Sequence, residues 1–372
     1  MQKHVVMIIA NSPDPSYFKW FTALNKKQEE FKLTYVFMLT QPTPMETYYR
    51  EEGIDVHWLY FNYSKSKYFQ FIRVTFQLFL LFLRIKPDVV QTNLFDDSLT
   101  ALFAARLAGV KKRVVTKQDT GYHILYFPKY IKLDTFINWN ATHIIPSSGE
   151  TKELIMKYES PPENKVQIIH HGMSETGITN VTPEQVKAFK RKYNLENKVV
   201  VGSVSRYIEL KGYRYIISAA KIAVHKYPNL HFLFIGTGQQ KDELALLIAM
   251  NKMEGFITIT GRIDFSDIPT AYRSMDIFIH ASEIEAFGFV FAEAMFNKVP
   301  MISTRVGAVR DVLTHKENVY ITKFKDPSDI AEGIDYMMRS DRKLIAEKAY
   351  AICKEKFAIE IMWDNYKNLF NN

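Results

Sequence analysis

The chain alternates short, almost wholly apolar runs with longer amphipathic stretches from one end to the other, and this rhythm limits its fold more than any other feature. Runs such as "HVVMIIA", "FKLTYVFML" and "KVVVGSVS" have the length of strands, and the stretches between them are long enough for helices. Repeated β-α units of this kind build parallel sheets that are covered by helices on both faces. We therefore expect an α/β fold with doubly wound parallel sheets.

The predicted strands fall into two groups. Six strands form the first group and begin at His4, Phe31, Asp55, Pro87, Lys112 and Ala141. Five strands form the second group and begin at Lys198, Leu230, Phe256, Asp276 and Val299. Prolines, a His-His-Gly turn and a polar run separate the groups, and 372 residues favour two domains. We predict domains of residues 1–176 and 177–354, with a hinge near residues 172–181.

Charge and cysteine content narrow the functional classes. The net charge of +8 favours an anionic partner, such as a nucleic acid, an anionic lipid or a phosphorylated small molecule. The lysines are dispersed and no Cys/His finger occurs, which argues against a nucleic acid. The single cysteine, Cys353, excludes an internal disulfide, and the N-terminal apolar run is too short for a signal peptide. We expect a cytoplasmic protein.

The segment "YFQFIRVTFQLFLLFLRIKPD", which starts at Tyr68, is apolar around most of its circumference. Its uninterrupted apolar run is too short to span a bilayer, so a spanning helix is not expected. Two alternatives are a helix packed on its sheet and a surface helix whose aromatic side chains, including Phe79 and Phe82, dip into a membrane.

The segment "SEIEAFGFVFAEAM" places Glu285 and Glu293 on either side of an apolar turn between two predicted strands. We expect Glu285 before a helix and Glu293 roughly two turns inside it. Gly288 lets the backbone approach a ligand closely, and the first N–H groups of a helix favour an anion such as phosphate. Each carboxylate can accept two hydroxyl groups, such as the vicinal hydroxyls of a sugar or ribose.

Cations follow the first strand of the second group in "VGSVSRYIELKGYRYIISAA". Arg206 and Lys211 could neutralise a diphosphate there, or could be solvated loop residues. No Asp-x-Asp occurs, so we expect neither a metal nor any other cofactor. The pair Gly236 and Gly238 fits either a ligand contact or a tight turn.

The ordered segments "SRYIELKG", "FIGTGQQKDEL", "ITGRIDFSDIPTAYRSMDIFIHAS", "EAFGFVFAEAM" and "VPMISTRVGA" strongly resemble the C-terminal half of retaining glycosyltransferases of family four. The resemblance covers Val199 to Ala308. That family has two facing Rossmann-like domains, the GT-B fold, and "FAIEIMWDNYKNLF" resembles its last helix, which crosses back to the first domain. The resemblance implies that residues from about 355 to 372 complete an acceptor-binding N-terminal domain, and that the C-terminal domain binds a nucleotide-sugar.

The resemblance implies catalytic roles for Arg206, Lys211 and Glu285, with the cations on the diphosphate of the donor and the carboxylate on its sugar. It implies donor-binding roles for further residues of this half, namely Gly236, Arg262, Ile263, Phe287, Gly288, Phe289 and Glu293. Glu293 would bind the ribose hydroxyls, and the backbone at Gly288 would contact the phosphates or the sugar.

The first half departs from the family pattern, because "NSPDPSY" stands in place of a glycine-rich loop and Gln118 in place of a histidine. Asp119 and His123 follow a predicted strand end and are candidates for contact with the sugar or the acceptor. A purely structural role for His123 is an equal alternative.

The resemblance implies a retaining hexosyltransferase that moves a sugar from a nucleoside diphosphate to a glycan or lipid-linked acceptor, in cell-surface polysaccharide or lipopolysaccharide biosynthesis. Positive charge and the aromatic helix suggest peripheral contact with the inner face of an anionic cytoplasmic membrane. A nucleotide-sugar epimerase of the same fold and a non-catalytic, membrane-associated binding subunit stay open as alternatives. A nicotinamide oxidoreductase would need G-x-G-x-x-G after the first strand, and "IIANSPDPSY" contains no glycine.

Overall fold

The computed structural model describes residues 2–10, 16–62, 67–118, 121–175 and 180–372. The chain divides into two compact units, of which unit 1 contains Met1–His171 and Ile359–Asn372 and unit 2 contains Gly172–Ala358. The first division falls inside the His-His-Gly turn of the predicted hinge region. The predicted domains 1–176 and 177–354 place the two divisions a few residues away from these positions.

Unit 1 contains a six-stranded parallel sheet flanked by helices. Its strands are β1 Lys3–Ala10, β2 Phe31–Leu39, β3 Asp55–Tyr60, β4 Val89–Thr92, β5 Lys112–Lys117 and β6 His143–Pro146, in the order β3-β2-β1-β4-β5-β6. Its helices are α1 Ser16–Gln28, α2 Pro44–Glu51, α3 Lys67–Ile85, α4 Phe95–Leu107, α5 Tyr122–Tyr126, α6 Ile131–Asn140, α7 Gly149–Tyr158 and, from the C-terminus, α16 Ile359–Asn371.

Residues of β1 alternate between two helical layers. Val5 and Met7 pack in a core with α1, α2 and α16, whereas Val6 and Ile8 pack in a second core with α3 and α4. Every residue of β1 after Lys3 is buried, as expected for a central strand of a parallel sheet that is covered on both faces.

Unit 2 repeats this architecture. Its strands are β7 Val199–Val204, β8 Leu230–Ile235, β9 Ile257–Gly261, β10 Ile277–His280, β11 Met301–Thr304 and β12 Tyr320–Thr322, in the order β12-β11-β10-β7-β8-β9. Its helices are α8 Pro183–Lys192, α9 Tyr213–Lys226, α10 Lys241–Met250, α11 Ile268–Arg273, α12 Phe289–Phe296, α13 Gly307–Val312, α14 Pro327–Arg339 and α15 Arg342–Phe357.

All eleven predicted strands are confirmed, and so is the prediction of two doubly wound parallel sheets. The edge strand β12 was missed because it has only three residues and follows the polar sequence "THKEN". The prediction that the last helix returns to the N-terminal domain is also confirmed, because α16 belongs to unit 1.

Helix α3 is apolar on two opposite faces. Val74, Leu78 and Phe82, spaced four residues apart, are buried against the sheet. The opposite face exposes six large apolar side chains, those of Tyr68, Phe69, Ile72, Phe76, Leu80 and Leu83. The expectation that Phe79 and Phe82 face a membrane is therefore wrong, because Phe82 is buried and Phe79 packs partly against the same core.

The prediction that this segment is too short to span a bilayer is also wrong on length and composition. The 18 residues Tyr68–Ile85 are long and apolar enough to cross a membrane by these two criteria, although 22% of them are buried inside the protein. Core helices pass the same test, and α3 packs on its sheet with one face.

Candidate active site

The candidate residues of unit 2 lie at the point where the strand order of its sheet reverses. Strands β7 and β10 are neighbours in the sheet, and the chain proceeds from them towards opposite edges. Ligands of open α/β sheets bind at the carboxyl ends of such strands. Arg206 and Lys211 follow β7, and Glu285 follows β10. The fold therefore brings the ends of these two segments to one place.

Lys211, Glu285 and His280 form one buried cluster. The ammonium group of Lys211 forms an ion pair with Oε1 of Glu285, and the same oxygen lies 2.7 Å from Nε2 of His280. The side chains of Lys211 and Glu285 are 11% and 12% exposed, and that of His280 is 1% exposed. The cluster is thus a shielded arrangement in which one carboxylate oxygen accepts from two donors.

The electrostatics of the cluster keep Glu285 ionised. Burial acts to raise the pKa of Glu285, but the hydrogen bond from His280 and the charge of Lys211 outweigh it and bring the pKa to about 2. Burial lowers the pKa of His280, so its imidazole is neutral near pH 7 and its Nε2–H group donates to the carboxylate. Nδ1 of His280 is buried without a hydrogen-bond partner among the residues described.

Close backbone packing fixes Lys211 against the end of β10. Gly212 has φ +68°, and a Cβ atom there would lie 2.1 Å from the carbonyl oxygen of Ala281. The N–H of Glu283 and the hydroxyl of Ser282 both donate to the carbonyl of Leu210, at 2.8 and 3.0 Å. The sequence "LKG" therefore lies directly beside the loop that carries Glu285.

Glu293 lies on α12 and bonds to a tyrosine that sequence reasoning missed. The hydroxyl of Tyr272, on α11, donates to Oε2 of Glu293 at 2.7 Å. Burial raises the pKa of Glu293, and the bond from Tyr272 partly opposes this. Because α12 begins at Phe289, Glu293 is about one turn inside the helix, and the predicted depth of two turns is wrong.

The start of α12 is shaped by Gly288, which has φ +83° and lies one residue before the helix. Phe287 is buried, and its carbonyl accepts from the N–H of Ala308 at 3.0 Å, so this residue joins two loops at the sheet edge. Phe289 is partly exposed as the first residue of the helix. Glu285 therefore lies in the loop that leads directly into the N-terminus of α12.

The other predicted donor-side residues follow strand ends of the same sheet. Arg206 is exposed, and its side chain forms neither a hydrogen bond nor an ion pair with any residue of the described ranges. Arg262 is exposed and Ile263 half-buried, directly after β9. A Cβ atom at Gly236 would lie 1.9 Å from the carbonyl oxygen of Ser205, so close backbone packing alone requires this glycine.

Unit 1 contains a second polar cluster that involves one predicted acceptor-side residue. Nδ1 of His123 lies 2.7 Å from Oδ2 of Asp134, whose other oxygen is 3.4 Å from the ammonium group of Lys117. That ammonium group also bonds to Glu159 at 2.8 Å. Burial acts to lower the pKa of Lys117, but the charges of Glu159 and Asp134 outweigh it and raise the pKa. Asp119 lies outside the residues described.

This cluster lies at the edge of a large cavity of about 1020 Å³. The cavity is bounded by the ends of β1, β4 and β5, and therefore by the β1–β4 switch point of the first sheet. Most of its wall is apolar, and His123 and Asp134 contribute to its polar part. Cavities of this size accommodate small-molecule ligands.

Sequence reasoning missed the partners of the predicted residues rather than the residues themselves. His280 lies within the predicted strand that begins at Asp276, five positions before Glu285, which places both near one sheet edge and could have suggested their contact. Asp134, Lys117 and Glu159 come from a helix, a strand and a helix end that are far apart in sequence. Their contact follows only from the tertiary packing.

Comparison with known proteins gives the class to which these features belong. Residues 185–354 match the family described as "Glycosyl transferases group 1". The capsular polysaccharide biosynthesis glycosyltransferase CapM of Staphylococcus aureus is 25% identical over 315 residues, which cover 82% of this chain and 81% of CapM. The O-antigen biosynthesis glycosyltransferase WclY of Escherichia coli is 23% identical over 214 residues, and the match spans 57% of each chain.

Solved structures show the same fold. HepE of Anabaena, crystallised with UDP and glucose, superposes with a TM-score of 0.82 over the full length of both chains at 17% identity. The protein thus has the GT-B fold of two Rossmann-like domains. Its residues 185–354 match a group 1 glycosyl transferase domain, and the relatives described above are glycosyltransferases by name.

Proposed function

We propose that this protein is a retaining, metal-independent glycosyltransferase that moves a sugar from a nucleoside diphosphate to a glycan or lipid-linked acceptor in the assembly of a cell-surface polysaccharide. The observation that carries the proposal is the Lys211–Glu285–His280 cluster at the switch point of the second sheet. The names of CapM and WclY support the polysaccharide context. The HepE complexes with UDP and UDP-glucose make UDP-sugars the first donors to test.

In the proposed donor complex, Lys211 and the exposed Arg206 contact the diphosphate. Negative charge grows on this group as its bond to the sugar breaks, and a cation that is already fixed stabilises that charge without reorganisation. Lys211 is fixed by Glu285 on one side and by the packing of Gly212 on the other. Removing one such donor typically reduces turnover about 10²- to 10³-fold.

The two acids contact opposite ends of the proposed donor. Glu285 remains ionised and accepts hydrogen bonds from hydroxyls of the transferred sugar, while Glu293 accepts from the ribose hydroxyls. Tyr272 already bonds to one oxygen of Glu293, which fixes the orientation of the carboxylate before the donor arrives. This division of roles explains why Glu285 precedes the mostly apolar run from Ala286 to Met295 and why Glu293 lies within it.

In the proposed reaction the acceptor oxygen attacks the anomeric carbon on the face from which the diphosphate departs. The bond between sugar and phosphate breaks, the new glycosidic bond forms, and the proton of the acceptor moves to the departing phosphate oxygen. Such a reaction uses no protein nucleophile. The polar cluster at His123 and Asp134 would orient the acceptor hydroxyl within the cavity of unit 1.

The proposal is tested with a panel of UDP-, GDP- and ADP-sugars, by measuring binding, slow hydrolysis and release of the nucleoside diphosphate. We expect Lys211→Ala and Glu293→Ala each to reduce turnover at least about 100-fold. Lys298→Ala is the matched control, because Lys298 forms an exposed pair with Glu347 in the same unit and such pairs contribute little.

Four outcomes would contradict the proposal. Near-normal turnover by folded Lys211→Ala would remove the site assignment. A nucleotide-sugar isomer formed without release of nucleoside diphosphate would indicate the epimerase instead. Inversion at the anomeric carbon, read from the proton coupling of the product by NMR, or loss of turnover on chelation would overturn retention or metal independence respectively.

A further inference from the structure

Three neighbouring helices of unit 1 carry an exposed apolar surface. The "apolar face" of α3 consists of Tyr68, Phe69, Ile72, Phe76, Leu80 and Leu83, all of which are exposed. Beside it runs a groove of about 490 Å³ that is lined almost wholly by apolar side chains of α3, α4 and α6. Leu107 and Trp139, on α4 and α6, are more than half exposed and extend the surface. Exposed apolar patches of this extent mark interaction sites.

The exposed charged side chains described on these three helices are cationic. Helix α3 contains no acidic residue, and the single acid of α6, Asp134, is buried in its contact with Lys117. The two acids of α4, Asp96 and Asp97, lie in its first turn, where Asp97 is buried and Asp96 is half-buried. Exposed cations flank the apolar face and the adjoining helices, namely Arg84, Lys86, Arg106, Lys111 and Lys132. An apolar centre with a cationic rim is complementary to a lipid surface with anionic headgroups.

The same charges argue against a second copy of this chain as the occupant. In a two-fold dimer each surface meets an identical one, so the cations would face cations. Trp139 also has the geometry of an interfacial residue, because the guanidinium of Arg106 lies 3.5 Å from the centroid of its ring. Aromatic rings paired with long cations are typical of the boundary between headgroups and acyl chains.

The apolar surface is continuous with the cavity of unit 1. Phe71, Ile72 and Leu99 line both the groove and the cavity of about 1020 Å³. An apolar chain that enters the groove can therefore reach the cavity while it stays in contact with apolar side chains. The His123–Asp134 pair lies at the polar part of the same cavity.

From these contacts we propose that the apolar face of α3 docks on an anionic lipid bilayer, and that the adjoining cavity takes up the apolar chain of a lipid-linked acceptor from that bilayer. The second part rests on the proposed function, because it names the acceptor of that reaction. The first part does not.

Docking is tested by sedimentation of the full-length protein with vesicles of phosphatidylglycerol and phosphatidylcholine, and with vesicles of phosphatidylcholine alone. We expect stronger binding to the anionic vesicles and a decrease with salt. The double variant Phe76→Ser and Leu80→Ser should lower the partition coefficient at least about tenfold. Leu246→Ser with Phe265→Ser is the matched control, because both residues are exposed apolar side chains of unit 2.

A second double variant tests how much positive charge contributes to vesicle binding. Arg84→Gln with Lys86→Gln should weaken binding to anionic vesicles and leave binding to phosphatidylcholine vesicles unchanged. Absence of vesicle binding by the wild type at low salt would overturn the docking. So would a concentration-dependent dimer, seen by sedimentation velocity, that Phe76→Ser and Leu80→Ser convert to a monomer.

Uptake of the chain is tested with vesicles that contain a phospholipid with a diazirine in its acyl chain. After irradiation we expect labelled peptides from α3 and from the cavity wall around Leu133. Leu133→Trp should reduce the cavity labels while vesicle binding is unchanged. Labels confined to α3 would overturn the uptake.

These measurements are independent of the donor. If the wild type binds vesicles but neither binds nor hydrolyses any nucleotide-sugar, the proposed function fails and the docking stands. If donor hydrolysis is normal and no vesicle is bound, the docking fails and the proposed function stands.

Discussion

The carboxylate of Glu285 stays ionised in the folded protein far below the pH at which a free glutamate protonates. Its ordinary pKa near 4.5 falls to about 2, because the hydrogen bond from His280 and the charge of Lys211 outweigh the effect of burial. A group with a depressed pKa stabilises the fold above its unfolded value, and this contribution disappears as the pH falls towards its folded value.

This linkage gives a prediction for stability as a function of pH. The difference in unfolding free energy between wild type and Glu285→Gln should be constant above about pH 5. It should shrink by on the order of 3 kcal/mol as the pH falls from the ordinary value of 4.5 to about 2. Denaturant unfolding at a series of pH values measures it. Glu347→Gln, which removes an exposed partner of Lys298, should show no such window.

At this scale the sequence located the candidate residues but not their partners. Glu285 and Lys211 follow strands whose apolar runs are unambiguous, so their position at a sheet edge could be predicted. Their direct contact could not, because it depends on which strands are neighbours, and β7 and β10 are separated in the chain by two other strands. The contact of His280 with Glu285 could have been suggested from their five-residue separation at one sheet edge, but the sequence does not show that both donors bond to the same carboxylate oxygen.

At the scale of elements, the loop between β7 and α9 packs closely against the loop that follows β10. Gly212 combines a left-handed backbone with a carbonyl only 2.1 Å from its would-be Cβ atom. Gly261 has φ +73° with nothing within 4 Å, and Gly255 has open space with no left-handed backbone. These three glycines separate backbone strain from steric overlap.

We expect a graded series of alanine substitutions. Gly255→Ala should change the unfolding free energy by less than about 1 kcal/mol. Gly261→Ala should cost about 1–2 kcal/mol, because only the left-handed conformation is penalised. Gly212→Ala should cost at least about 3 kcal/mol, because strain and overlap act together. Equal effects at Gly212 and Gly261 in thermal or denaturant unfolding would show that the overlap is relieved without cost.

Strands and helices were predictable where apolar runs were long. The prediction failed where a run was short, as in β12, and where apolar residues cover two faces of a helix, as in α3. Buried parallel strands have continuous apolar sequences, which accounts for the eleven confirmed strands. Helix α3 is the opposite case, because apolar residues cover both its buried and its exposed face. Periodicity alone could not decide whether Phe82 or Phe76 faces the sheet, and the choice made from sequence was wrong for Phe82.

At the scale of the whole molecule, unit 1 is completed by a helix from the other end of the chain. Trp363, Tyr366 and Phe370 of α16 are buried in the core that contains Phe21, with the rings of Phe21 and Trp363 centred 4.6 Å apart. The two ends are also joined by hydrogen bonds from the ammonium group of Lys3 to the carbonyls of Phe370 and Asn371.

A substitution that weakens the packing of α16 should therefore destabilise unit 1 selectively. Trp363→Ala should cost about 3–5 kcal/mol, as expected for truncation of a large buried aromatic. Hydrogen exchange followed by mass spectrometry should show faster exchange in peptides from β1 and β2, while peptides from β7 and β8 keep their wild-type protection. Trp139→Ala, at an exposed site in the same unit, is the control. Equal acceleration in both units would mean that they unfold as one.

Unit 1 is built from two separate segments of the chain, and this has a consequence for biosynthesis. A ribosome makes residues 1–171 before unit 2, yet the core they form lacks α16 until residues 359–371 are translated. Unit 2 is a single uninterrupted segment that precedes α16, so all of its residues are synthesised before those that complete unit 1. The unit that is synthesised first is thus the unit whose core is completed last, and in the meantime the apolar residues that pack against α16 are open to chaperones.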